Sequence, residues 1–189
     1  MWFTLFFVFV VLQRLLELSI AKKNESWMRK HGAVEYGAEH YKYMVTLHIA
    51  FLTSFLFEVV LLDKQPNPFW PIILTFFILT QVLRVWAIHS LGPYWNTKVL
   101  LIAGAEIVKV GPYKFMRHPN YLIVVMEIIL IPILFQAYVT AIVFTALNAW
   151  MLSVRIPLEE NALADISANY DVYMNKRNRF SPSFHKDLE

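Results

Sequence analysis

The sequence predicts an all-α integral membrane protein. It would have about five transmembrane helices, the last two paired as a hairpin, and a C-terminal amphipathic helix on the cytoplasmic side. Three observations carry this. The 189 residues are 58% hydrophobic and only 16% charged, a balance too apolar for an ordinary soluble domain. The apolar residues fall in runs long enough for membrane spans, separated by polar islands. Lysine and arginine alternate between those islands, with five, one, four, none and five in chain order. Five crossings with the N-terminus outside and the C-terminus in the cytoplasm require that alternation.

The first span is expected at residues 1–21. No basic stretch precedes its apolar core and no small-residue cleavage site follows, so it does not read as a signal peptide. Arg14 and Glu17 lie three apart on one helix face. They are expected to face other helices, because a charge facing lipid is expensive. Residues 22–42 read as a polar loop. The second span is expected at 43–62 and carries His48 and Glu58. A stretch dense in turn residues follows at 63–68. The third span, 69–91, holds Gln81, Arg84 and His89 in its second half. Arg84 needs a partner, and Glu17, Glu127 or a substrate are the candidates. Residues 92–120 form a long central loop. The chain is apolar again over 121–154, with Pro132 and Gln136 near the middle, which predicts a helical hairpin. Arms of about 16 residues reach about 24 Å at ~1.5 Å per residue, short of a ~30 Å hydrocarbon core. The tail, 155–189, is polar and is expected to carry an amphipathic helix over 157–175.

One membrane domain therefore covers 1–189, with N-terminal spans over 1–68 and the two richest polar islands in 69–189. The net charge of +3 reflects cations at cytoplasmic helix ends rather than a nucleic-acid partner. No cysteine is present, which excludes disulfides, thiolate metal sites and a cysteine nucleophile. The six histidines lack ligand spacing, so no metal is expected. The lipid bilayer is the expected partner, and the sequence leaves the oligomeric state open.

The chemistry concentrates in the islands GPYKFMRHPNY, residues 111–121, and RIPLEE, residues 155–160. Gly111-Pro112 supplies a turn and lets the backbone approach a ligand. Arg117 and His118 are donors for a carboxylate or phosphate. Asn120 is a candidate cap for a helix starting at Tyr121, whose N-terminus would favour an anion. Tyr113 and Tyr121 offer aromatic faces to an adenine or a cation. Pro157 reads as the first residue of the tail helix, which would put Glu159 and Glu160 in its first turn. The two islands together suit a ligand with an anion, an amine and an aromatic base. Tyrosine, arginine and lysine also belong at the headgroup level of any membrane protein, so these residues alone leave that plainer reading open.

The order RHPxY, then a hydrophobic hairpin, then Arg-x-x-x-Glu-Glu resembles the isoprenylcysteine carboxyl methyltransferase family. Membrane methyltransferases of phospholipids share parts of the pattern. The resemblance covers residues 83–182 and includes LRVWAI, Trp95-Asn96, GPYKFMRHPNY, RIPLEENAL and a terminal NYDVY similar to the family's Tyr-x-x-Tyr. It implies that 69–189 is a methyltransferase core binding S-adenosylmethionine between central loop, hairpin and tail. Residue by residue, it implies cofactor contacts at Glu106, Ile107, Val108, Tyr113, His118, Pro119, Asn120, Tyr121, Glu159 and Glu160. Arg155 falls where the family orients its substrate, and Arg84 and Asn96 fall on the acceptor side. Two positions depart from the family: Ile123 replaces a frequent glycine, and Asn96-Thr97 replaces Asn-His.

The implied reaction is an in-line methyl displacement, which needs mainly alignment of the reacting atoms at about 3–3.5 Å. Arg155 and Glu159 are the candidate catalytic residues. A carboxylate or acidic enol acceptor arrives as an anion for Arg155 to hold. An amine acceptor arrives protonated and needs a base, for which Glu159 or Glu160 is the candidate. The expected substrate is a lipophilic small molecule, either a prenylcysteine-like carboxylate or an alkylpyrone-type enol hydroxyl. A phospholipid N-methyltransferase is the alternative enzyme, and a non-enzymatic membrane scaffold is the alternative of another class.

Overall fold

The computed structural model describes residues 1–166, 170 and 177–183. Five helices carry the chain: α1 Trp2–Lys30, α2 Ala38–Leu61, α3 Trp70–Leu91, α4 Pro119–Ile133 and α5 Tyr138–Ile166. Two short strands, β1 Val34–Tyr36 and β2 Val99–Leu101, pair antiparallel with Glu35 opposite Leu100. Helices α1, α2, α3 and α5 are long and apolar enough to cross a membrane, and α4 is a shorter apolar helix. The protein is thus an all-α, multi-pass membrane protein, as its composition predicts.

Several boundaries differ from the sequence reading. Helix α1 runs nine residues past the expected end of the first span. Its last two turns are polar and stand clear of the apolar run, and the Glu25–Arg29 pair at i, i+4 supports them. The loop that follows is correspondingly short. Helix α4 starts at Pro119, with His118 at the N-cap and no side-chain cap. Proline at the first helical position lacks only an N–H that would have no helical partner anyway. Asn120 is therefore inside the helix, where its Oδ1 accepts from the Trp95 indole at 3.4 Å.

The largest correction concerns the tail. Pro157 does not start a new helix; it lies inside α5. Proline costs a helix interior one hydrogen bond, yet α5 continues to Ile166. Glu159 and Glu160 are consequently mid-helix and gain nothing from a helix N-terminus. At 29 residues, α5 is about 44 Å long at ~1.5 Å per residue, longer than the ~30 Å hydrocarbon core. It is long enough to cross the bilayer, with RIPLEE in its C-terminal half. Apart from Tyr170, the part of the expected tail helix beyond Ile166 lies outside the described residues.

Side chains from distant spans tie off the hairpin. The Glu58 carboxylate at the end of α2 accepts from the Val139 and Thr140 amides, at 3.1 and 2.7 Å, and from the Thr140 hydroxyl. It thereby satisfies orphan donors at the N-terminus of α5. Buried Asn67 donates its amide N–H to Leu134 O at 2.9 Å and its side-chain N–H to Ile133 O at 3.2 Å, serving the C-terminus of α4. Between α3 and α4, Ile123 packs against Ala87, both fully buried. The small residue that the glycine departure removes from α4 is thus supplied by α3.

Within the bilayer the charged residues neutralise one another. Arg14 contacts Glu17 at 2.6 Å and Glu127 at 2.5 Å. Arg84 binds Glu127 directly and lies 3.4 Å from Glu17. Gln13 donates to Glu17 at 2.9 Å and Gln81 to Glu127 at 3.0 Å. Two cations and two carboxylates from α1, α3 and α4 thus form one closed, neutral ring, which meets the rule that buried charge must be paired.

Removing one member leaves a buried charge uncompensated. Glu127→Ala is expected to lower stability by about 3–5 kcal/mol. Glu58→Ala, which loses a cap, is expected to cost about 1 kcal/mol. Equilibrium unfolding in detergent measures both, and equal losses would contradict the ring's importance.

Candidate active site

The two islands meet. RIPLEE lies on α5 at the same end of the bundle as the loop that carries GPYKFMRHPNY. Glu160, only 4% exposed, is the point of contact. It lies 3.0 Å from Arg117 Nη1 and 3.0 Å from His118 Nε2, and Arg179 of the tail binds its other oxygen at 2.6 Å. Backbone hydrogen bonds continue the contact, from Arg117 N to Asn178 O, from His118 N to Arg179 O and from Ser183 N to Phe115 O. One buried carboxylate therefore joins the central loop, α5 and residues 177–183.

Gly111 has a role beyond the one its motif suggests. Its φ is +59°, and a Cβ there would lie 1.9 Å from Ser90 Oγ. The backbone comes close to α3 here. This lets the 3-10 turn Gly111–Lys114 sit directly on the third helix.

Beside the Glu160 contact lies a cavity of about 570 Å³, within the range of small-molecule sites. It runs from the β1–β2 end of the bundle down to the intramembrane ring. Glu106, Ile107, Val108, Tyr113, His118, Asn120, Tyr121, Arg155 and Glu159 all line it, as do Arg84 and Asn96. Pro119 and Glu160 do not line it; they build the wall from behind. Arg117, which the sequence reading names as an anion donor, also lines the cavity, and among described residues Tyr41, Met44, Trp95, Thr97 and Tyr170 are some of the lining residues that the reading missed. Arg117 and Tyr170 were visible within quoted motifs. Met44 comes from the second span, where only generic membrane character could be read, and Tyr41 from the expected loop 22–42, whose last residues the structure winds into α2 from Ala38.

The polar centre is a chain of three side chains. Arg155 Nε donates to the Tyr121 hydroxyl at 3.0 Å, and that hydroxyl donates to Glu159. Arg155 Nη2 donates to the Thr97 carbonyl, while Nη1 lies 3.0 Å from the Met44 sulfur. A thioether is a weak acceptor, so Nη1 is the N–H most readily given to an incoming oxygen. Arg155 and Glu159 sit one helical turn apart on α5 and face one space. The Tyr121 ring also lies beside His118, with centroids 5.3 Å apart.

Two expected acceptor-side residues are already engaged. The Asn96 side chain donates to Ala21 O at 3.1 Å and accepts from Lys98 N at 3.0 Å, which fixes the turn before β2. Arg84 belongs to the neutral ring, and its partners are Glu127 and Glu17 rather than a substrate. Outside the spans, the Lys98 ammonium is raised above its usual pKa by its hydrogen bond to Glu25, at 2.8 Å. That pair holds β2 against the end of α1.

The donor set suits S-adenosylmethionine. Glu159 is a carboxylate with lone pairs beyond the one Tyr121 uses, open to a cationic centre. Tyr113, Tyr121, Tyr170 and Trp95 provide aromatic faces for a cation or a purine. Arg117 and Asn120 are donors for a carboxylate.

Comparison with known proteins agrees with this geometry. The profile of the Isoprenylcysteine carboxyl methyltransferase (ICMT) family matches residues 72–165. A Bacillus subtilis (strain 168) protein described as "Uncharacterized protein YpbQ" is 48% identical over 165 residues, covering 87% of this chain and 98% of its own. An uncharacterized protein of Haemophilus influenzae is 27% identical over 161 residues, covering 85% of this chain and 94% of its own.

If Glu160 clasps the tail, Glu160→Ala should expose residues 177–183 to trypsin at Arg177 or Arg179. Loss of charged hydrogen bonds worth about 1.5–3 kcal/mol predicts cleavage about 10- to 100-fold faster. Glu159→Ala should leave that rate unchanged. Equal rates for wild type and Glu160→Ala would contradict the clasp.

Proposed function

Because the chain belongs to the isoprenylcysteine carboxyl methyltransferase family, whose members are membrane methyltransferases, we propose that it transfers a methyl group from S-adenosylmethionine to oxygen of a lipophilic acceptor. The observation that carries this reading is a single cavity that reaches from the Arg155–Tyr121–Glu159 chain into apolar membrane-depth walls. A polar head and a greasy tail can then occupy one pocket. The lysine and arginine count supports a cytoplasmic position for the pocket and the C-terminus, with the N-terminus outside.

When bound, S-adenosylmethionine supplies a methyl group on a positively charged sulfur, open to displacement by a nucleophile. Glu159 and the tyrosine faces hold positive charge at the α5 end of the cavity. Arg155, fixed by Tyr121 and Thr97, points an N–H at the acceptor oxygen and keeps it in line. This positioning is the main service such a displacement needs. The apolar walls from α1, α2 and α5 exclude water and receive the acceptor's tail. Glu160 takes no part as a base: Arg117, His118 and Arg179 occupy its oxygens. This makes amine deprotonation by that residue unworkable and leaves Glu159 as the base an amine acceptor would need, whereas an acidic oxygen acceptor needs none.

Binding of S-adenosylmethionine to the purified protein in detergent tests the reading. Glu159→Gln is expected to weaken it about 10- to 100-fold, from loss of a charged contact of about 1.5–3 kcal/mol. Arg155→Ala should hold cofactor affinity within about 2-fold yet lower kcat/KM about 100-fold, or ~2.7 kcal/mol. Absence of cofactor binding would favour the scaffold reading. Transfer of labelled methyl groups from the cofactor only to ethanolamine headgroups in a lipid extract would favour the N-methyltransferase.

A further inference from the structure

One titratable side chain on the cavity wall has no task in the mechanism above. His48 lies on α2 one helical turn beyond Met44, the residue that touches Arg155. Its Nδ1 is 2.8 Å from the Met44 carbonyl oxygen. A carbonyl only accepts, so Nδ1 carries the hydrogen and the neutral ring leaves Nε2 as a bare lone pair. Nε2 makes no hydrogen bond among the described residues. The charged groups that the neighbouring helices bring to the cavity with His48 are Arg14 and Glu17 on α1, Arg84 on α3, Glu127 on α4, and Arg155 and Glu159 on α5. The first four cancel within their ring, and Arg155 adds positive charge. Glu159, joined to Arg155 through the Tyr121 hydroxyl, brings a carboxylate to the same cavity. The neutral imidazole offers the cavity a hydrogen-bond acceptor one turn below its main donor.

Resting on the methyltransferase reading, we propose that His48 receives the hydroxyl of the methyl acceptor, so that the acceptor enters as a neutral, weakly acidic O–H compound rather than as a carboxylate. A carboxylate brings only lone pairs and would set one against Nε2. A hydroxyl gives its hydrogen to Nε2 while its oxygen, or a neighbouring carbonyl, takes the Arg155 N–H. In the transfer, the O–H bond breaks and its proton passes to Nε2. The freed electron pair forms the O–CH₃ bond as the C–S bond breaks and leaves its pair on sulfur. Positive charge moves from sulfur to the imidazole, which afterwards releases the proton to water. Arg155 orients and His48 takes the proton, two roles on facing helices.

The test uses the full chain in detergent, first without cofactor. The probes are pentadecylphenol, its methyl ether pentadecylanisole, and palmitate. The phenol should bind about 10-fold more tightly than the ether, as one hydrogen bond in a buried site predicts. It should also bind more tightly than palmitate. His48→Phe should erase the phenol–ether difference. His48→Gln, which keeps an acceptor oxygen, should retain part of it while losing transfer. Nitrogen NMR of histidine-labelled protein should find His48 as the Nδ1–H tautomer, with Nε2 perturbed by the phenol and not by the ether. Palmitate binding as tightly as the phenol, an Nε2–H tautomer, an unchanged phenol preference in His48→Phe, or no binding by any probe would each overturn the proposal. Cofactor binding is measured separately, so its failure would count against the methyltransferase reading while the probe contrast still judges His48.

Discussion

A single carboxylate holds the candidate site together. Glu160 sits almost wholly out of solvent, in the C-terminal half of α5, and meets a loop arginine, a loop histidine and a tail arginine. The loop and residues 177–183 are irregular where they meet α5, so the charged contacts supply what regular packing does not. A buried charge without partners would be costly. That cost couples the three segments, and the start of α4, which bears Tyr121, takes its place relative to Arg155 and Glu159 as a result. Adjacent glutamates on one helix thus face different ways. Glu160 turns outward to bind protein, and Glu159 turns inward toward the cavity.

A second balance of charge operates at depth. The Arg14, Glu17, Arg84 and Glu127 ring contributes no net charge, and two glutamines donate to its carboxylates. It forms the floor of the cavity and crosslinks helices that otherwise meet through apolar side chains. Its neutrality matters for the space above. A net charge there would dominate the electrostatics of a low-dielectric pocket, whereas the closed ring leaves Arg155 and Glu159 to set them.

The spans, the hairpin and the meeting of the two islands were legible in the sequence, because long apolar runs and basic loops report directly on the membrane. So were most residues of the cavity wall, through motifs that lie close in the chain. What escaped detection depended on tertiary context. The strands at 34–36 and 99–101 are three residues each, below the length at which alternation can be seen. Pro157 reads locally as a helix start, yet the packing of α5 carries the helix through it. The partners of Arg84 could be narrowed to Glu17, Glu127 or substrate, but only the packing of α1, α3 and α4 selects both glutamates. Asn96 lines the cavity as its motif suggests, while the engagement of its amide with backbone groups shows only in the fold. His48 gave no signal, since an isolated histidine in an apolar helix has no pattern to belong to.

The unbroken course of α5 fixes something that a jointed tail would not. One rod long enough to span the lipid also bears Arg155, Glu159 and Glu160, so the altitude of the pocket is set by how much greasy surface that rod must submerge. Membrane thickness thereby enters the alignment of the pocket directly: the same chain in a thinner or thicker leaflet pair would hold its arginine at a different height above the acyl chains.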